Sequence, residues 1–172
     1  MEEFIIIQIL GIATLIIFVI SLQQREKNKF LIWQTIGTLI FVAQYILSDK
    51  ITGAITFAVV AVRGLVFYIY SKMSMKPSSA VLIAFLVILS VSTYFTWQNL
   101  WSVIPLTATI SKTWGTWQDD MKRTRKASLF GQILMIVYNL SAAMYTGALT
   151  EVCNAVSSVV AMRRFDYRKN KV

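Results

Sequence analysis

The chain has 172 residues, of which 56% are hydrophobic and 15% charged, and its mean hydropathy is +0.62. A water-soluble domain of this size cannot bury so much apolar surface, so the composition excludes one and implies lipid as the solvent. The net charge of +9 does not argue for a nucleic-acid partner, because the lysines and arginines fall between apolar runs, where they set topology and attract membrane lipids.

Seven apolar runs follow one another at 4–22, 30–47, 51–70, 80–97, 100–117, 127–145 and 149–162. Each bilayer crossing needs roughly 20 residues of helix, so the runs use most of the chain and predict an all-α membrane protein of a single domain. The first run follows Met1-Glu2-Glu3 without the basic start or small-residue close of a cleavable signal, and is expected to remain as a helix. Run 30–47 carries Gln44 in its second half. Run 51–70 carries Arg63 roughly 12 residues from either end, near the bilayer midplane, where an arginine costs about 2.5 kcal/mol or more unless paired or hydrated. Arg63 therefore reads either as an anchor for an anionic or carbonyl-bearing substrate, or as one half of a structural contact.

Run 100–117 carries Pro105, which inside a helix removes a backbone hydrogen bond and favours a kink that a hinge could use. It also carries Lys112, close enough to the run's end to snorkel. Run 127–145 places Gln132, Met135 and Asn139 on one helical face with Tyr138 beside it. Run 149–162, the shortest and most polar, places Glu151, Asn154 and Ser158 on one face, with Ser157 adjacent. Glu151 is the acidic residue within a run, a candidate ion-pair partner or proton site. Trp97, Trp101, Trp117, Tyr70 and Tyr145 lie near run ends, where amphipathic rings favour the membrane interface.

Of the 17 basic residues, 14 fall on one side: Arg25, Lys27, Lys29, Lys72, Lys76, Lys122, Arg123, Arg125, Lys126, Arg163, Arg164, Arg168, Lys169 and Lys171. The other side has Lys50. Short basic loops stay in the cytoplasm during insertion, which predicts the N-terminus outside and the C-terminus inside. The single cysteine, Cys153, excludes an internal disulfide, and the chain has no histidine. Neither a metal, a cofactor nor a catalytic set is expected, and the chain does not read as an enzyme.

Shifting the sequence by 94 residues superposes the first three runs on the last three. Thr52-Gly53-Ala54-Ile55-Thr56 then falls on Thr146-Gly147-Ala148-Leu149-Thr150, Gly37 on Gly131, Ala61 on Ala155 and Val62 on Val156. A three-helix unit ends on the opposite side from where it starts, so a second copy in the same orientation needs one further crossing, which run 80–97 supplies. The expected layout is 3+1+3, with units at 4–72 and 100–165 joined by a linker helix. Secondary transporters use such parallel repeats to build a site at the repeat interface.

The segments Gln8-Ile-Leu-Gly11, Val42 through Thr52-Gly53-Ala54 to Ala61-Val62-Arg63, Ile104-Pro105 through Thr113-Trp114, and Tyr138-Asn139 with Asn154 resemble the YgjV family of bacterial inner-membrane proteins. In layout that family is similar to the SWEET, PQ-loop and nicotinamide riboside carriers, so the resemblance implies a small-molecule carrier in the inner membrane. The repeat places Gln44, Tyr138, Asn139 and Asn154 together, so with the midplane Arg63 they read as lining a substrate path, the alternative for these amides being interhelical hydrogen bonding. The chain departs from the pattern at three places: Gln44 stands where a histidine is expected, Val60 where its repeat mate is Asn154, and Pro105 is followed by Leu106. The partners this reading implies are membrane lipids and a small-molecule substrate, with self-association left open. The opposing reading is a noncatalytic membrane scaffold whose polar groups serve helix packing.

Overall fold

The computed structural model describes residues 2–48, 51–95, 100–142 and 144–167, and every regular element among them is helical. The helices are α1 Glu2–Leu22, α2 Lys27–Leu47, α3 Ile51–Lys72, α4 Ser79–Phe95, α5 Val103–Trp117, α6 Met121–Ser141 and α7 Tyr145–Ala161. A 3-10 turn, Leu100–Ser102, leads into α5, and a π-helical segment, Met162–Tyr167, extends α7. Lys50, Trp97, Arg168, Lys169 and Lys171 lie outside the described residues.

Seven helices thus match the seven apolar runs, but they divide by length and polarity. The segments Ile5–Leu22, Lys27–Leu47 and Ala54–Lys72 are long and apolar enough to cross a membrane. By the same measure α4, at 17 residues, is apolar but shorter. The later helices are less apolar because α5 and α7 carry Lys112 and Glu151, and because α6 opens on Lys122-Arg-Thr-Arg-Lys126.

That opening corrects the reading of residues 122–126 as a loop: α6 begins at Met121. Asp120 caps it, its Oδ1 accepting from the Lys122 backbone N–H at 2.9 Å, and lysine and arginine are good helix formers. Arg125 in particular is 1% exposed, so it is a packed side chain and not a headgroup-facing charge. A second correction concerns Pro105, the third residue of α5. In the first turn a backbone N–H has no acceptor within its own helix, so proline there starts the helix without kinking it.

The helices pack in a closed circuit. α2 lies between α1 and α3, α6 lies between α5 and α7, and α4 contacts α3 and α5. The circuit is completed by α1 against α7 and α3 against α5. At the end of the bundle that holds the basic segments, Leu22, Phe30, Leu31 and Phe67 form an apolar cluster, with Val81, Phe85, Trp117 and Met121 against it.

Elsewhere the polarity is that of a lipid-solvated bundle, with large aliphatic side chains outside and small or hydroxyl side chains inside. Ile9, Ile12, Val62, Leu65, Ile69 and Val156 are exposed, whereas Thr14, Thr35, Thr38, Thr113, Ser128 and Ser158 are buried. The buried threonines satisfy their hydroxyls on their own helices: Thr14 donates to the Leu10 carbonyl, Thr35 to Leu31 and Thr38 to Gln34, each at 2.8 Å. Such residues let helix backbones approach while keeping polar atoms away from hydrocarbon. Gly131 marks a close approach, since a Cβ there would stand 2.9 Å from the Ala108 carbonyl oxygen on α5.

Candidate functional site

Arg63 sits on α3 and is 3% exposed. Its Nη1 donates to the Thr113 hydroxyl on α5, and that hydroxyl donates in turn to the Thr109 carbonyl at 2.7 Å. The Arg63 Nε is buried with no partner among the described residues, and no carboxylate there lies within ion-pair distance of the guanidinium. A buried cation with an unused donor is a ready partner for a carboxylate, phosphate or carbonyl oxygen.

Asn154 on α7 is 6% exposed and its Oδ1 is also buried without a partner. Its neighbours on the helix face are occupied. The Ser158 hydroxyl donates to Gln132 Oε1 at 3.0 Å. Ser157 accepts from Gln23 Nε2 at 2.9 Å and donates to the Val19 carbonyl at 3.3 Å. Glu151, at the start of this stripe, pairs with Lys112 of α5 at 3.1 Å. Lys112 is therefore an ion-pair partner, and the side chains of the pair are only 27% and 17% exposed.

The remaining residues of the expected path lie apart from these. Gln44 on α2 donates through Nε2 to the Ile7 carbonyl at 3.3 Å, and its Oε1 is buried and unpartnered. Asn139 is buried on α6 with its side chain against Gly147 of α7, and Tyr138 beside it is half-buried. Among the described residues no hydrogen bond joins Gln44, Arg63, Tyr138, Asn139 and Asn154 to one another. Thus Arg63 lies between α3 and α5, Asn139 between α6 and α7, and Gln44 between α1 and α2.

The cross-circuit contacts are related by the 94-residue shift. Ser157 is 94 positions after Arg63 and Thr113 is 94 after Val19. The bond from Ser157 to Val19 joins α7 to α1, and the bond from Arg63 to Thr113 joins α3 to α5. The same shift relates Gly37, whose Cβ would meet Phe18 at 2.7 Å, to Gly131, whose Cβ would meet Lys112 at 2.8 Å.

Three polar groups emerge only from the structure. Thr113 is fully buried as the acceptor for Arg63, a role at which the apolar Val19, 94 positions before it, gives no hint. Gln23, next to the first basic loop, reaches Ser157. Arg125 donates to the Gln24 carbonyl at 2.5 Å and to Asp166 at 2.6 Å, tying α6 to the end of α1 and to the π-helical segment. A hint of the last was available in Asp166, an acid within an otherwise basic stretch.

Chemically, the bundle offers a buried donor and buried acceptors. Among the described residues no group of three or more histidine, cysteine, aspartate or glutamate side chains is placed to hold a metal ion. Comparison with curated proteins found no match, and comparison with solved structures found none either. Residues 5–169 match the model of the Imp-YgjV family, described as bacterial inner membrane protein. With that match running over nearly the whole chain, on a bundle whose outside is aliphatic and whose inside is polar, the chain belongs to the YgjV family of bacterial inner membrane proteins.

Proposed function

We propose that this protein is a small-molecule carrier, multi-pass in the inner membrane, in which two three-helix units, α1–α3 and α5–α7, rock about a central polar site with α4 as linker. The observation that carries this reading is Arg63, a buried cation with an unused Nε donor at the α3–α5 contact between the two units. In hydrocarbon such a group demands a partner, and intramembrane ionisable residues characteristically line substrate paths. Asn154 and Gln44 supply buried free acceptors, and Tyr138 and Asn139 extend the path on α6. The paired contacts of Arg63 with Thr113 and of Ser157 with Val19 support a repeat axis along the membrane normal, the arrangement of parallel-repeat carriers. The likeness to SWEET and PQ-loop carriers rests on this layout.

The basic residues support an outside N-terminus and an inside C-terminus. Pro105, at the junction of the 3-10 turn and α5, is placed where hinges commonly lie, at an element's end. The sequence has no Walker-type phosphate loop, so transport is facilitative or ion-coupled, without a catalytic reaction or cofactor. Its partners are the surrounding lipids, the substrate and, in a larger assembly, further copies of the chain.

A second reading, a noncatalytic membrane scaffold, is favoured by the pairs Lys112 with Glu151 and Gln132 with Ser158, which satisfy each other inside the bundle. Uptake into proteoliposomes across sugars, vitamins and organic anions, with thermal stabilisation by the same compounds, separates the two. Saturable uptake supports the carrier, and neither uptake nor stabilisation by any class supports the scaffold.

A further inference from the structure

At the basic end of the bundle, the turn after α1, the start of α2 and the π-helical segment flank an open cleft of about 440 Å³ lined by Gln24, Arg25, Glu26, Lys29, Arg164 and Phe165, among others. That volume falls within the range of small-molecule sites, roughly 300 to 1,000 Å³. The charges around it are not equivalent. Lys29 is paired with Glu26 at 3.0 Å, and Arg125, behind the cleft, is paired with Asp166. Arg25 and Arg164 have no carboxylate within ion-pair distance among the described residues.

Both of these unpaired cations are held beside one ring: the guanidinium of Arg25 lies 4.9 Å and that of Arg164 5.2 Å from the Phe165 ring centre. Cation–π contact holds each in place without neutralising it. Two uncompensated like charges thus line one cleft, and an anion bound there offsets both. Their planar forks match the oxygens of a phosphate group.

We propose that this cleft binds the phosphate group of an anionic ligand, clamped by Arg25 and Arg164 on the Phe165 platform. The site is separate from the central path and independent of the carrier reading. Phosphate chemistry has two sources here, the headgroup of an anionic phospholipid and a phosphate compound in solution.

The test uses the full chain in phosphatidylcholine nanodiscs. One arm adds phosphatidylglycerol to the bilayer and the other adds inorganic phosphate to the buffer, with retained ligand read by native mass spectrometry and stabilisation by thermal unfolding. The wild-type chain is expected to bind in at least one arm, and the responding arm assigns the source. The double variant Arg25→Gln/Arg164→Gln is expected to weaken binding at least about 100-fold, as loss of two charge-assisted hydrogen bonds implies. Arg123→Gln/Lys126→Gln removes the same charge from exposed positions of the same end and is expected to leave binding near wild type. Arg25→Lys/Arg164→Lys, which keeps the charge and loses the forks, gives an intermediate loss and serves as the reading should the glutamine variant fold poorly. No response in either arm, or equal losses in the clamp and control variants, overturns the site.

Discussion

Arg125 Nη1 and Asp166 Oδ1 meet at 2.6 Å with side chains 1% and 8% exposed, and the same guanidinium donates to the carbonyls of Leu22 and Gln24. One side chain thus joins the start of α6 to the end of α1 and to the segment that follows α7. Removing one member of a buried pair leaves the other charge uncompensated, which costs about 3–5 kcal/mol, whereas replacing both with apolar residues is often tolerated. Asp166→Leu and Arg125→Leu are each expected to lower the thermal unfolding midpoint strongly, and the double variant is expected to recover part of the loss. Additive losses in the cycle would show that the pair carries no coupling.

Close helix approach makes a second prediction. A Cβ at Gly115 would stand 2.6 Å from Ala127 Cβ and 3.2 Å from the Thr124 carbonyl, both on α6, whereas at Gly11 its nearest neighbour is the terminal amide nitrogen of Gln44 at 3.2 Å. Backbone cannot step aside as a side-chain end can, and overpacking costs about 1–3 kcal/mol. Gly115→Ala is expected to destabilise the detergent-solubilised protein by that amount, and Gly11→Ala by clearly less. Equal midpoints for the two variants would contradict the packing described for α5 and α6.

The pair Lys112 and Glu151 is partly buried, at 27% and 17% exposure, and spans α5 and α7. Glu151→Lys and Lys112→Glu each place like charges in contact, and the exchanged double variant restores opposite ones. Folded yield and thermal midpoint are expected to fall in each single variant and to return toward wild type in the double. A double variant no better than the worse single would mean that the two side chains act separately.

How much of this was legible in the residues depends on what each feature rests upon. Helix existence rests on apolar length, so seven runs found seven helices. Helix ends rest on caps: Asp120 and the helix-forming basic residues after it moved the start of α6 from 127 to Met121, where hydropathy alone sees only charge. The burial of Arg63 followed from its distance to both helix ends. Its acceptor Thr113 did not, because which helix stands opposite α3 is a tertiary fact. Arg125 was misread for a related reason: a basic residue beside an apolar run has the composition of a topology signal, and only the Leu22 and Gln24 carbonyls and Asp166 meeting it reveal a packing role.

The Arg63 contact offers the most direct test of the carrier. Thr113 Oγ1 is the hydrogen-bond partner of Arg63 among the described residues, and Nε is left without one. If the guanidinium receives substrate, Arg63→Gln removes both charge and donor, and uptake by proteoliposomes is expected to fall at least about tenfold, the loss of one charge-assisted hydrogen bond. Thr113→Val keeps the cation but frees it from α5, so uptake is expected to persist with a raised KM, as poorer positioning would give. Asn154→Ala, which removes a buried acceptor at little cost in volume, is expected to reduce uptake while membrane insertion and folded yield remain. Unaltered uptake in Arg63→Gln and Asn154→Ala together, with all variants inserted, would remove both residues from the path and leave their role as one of helix packing.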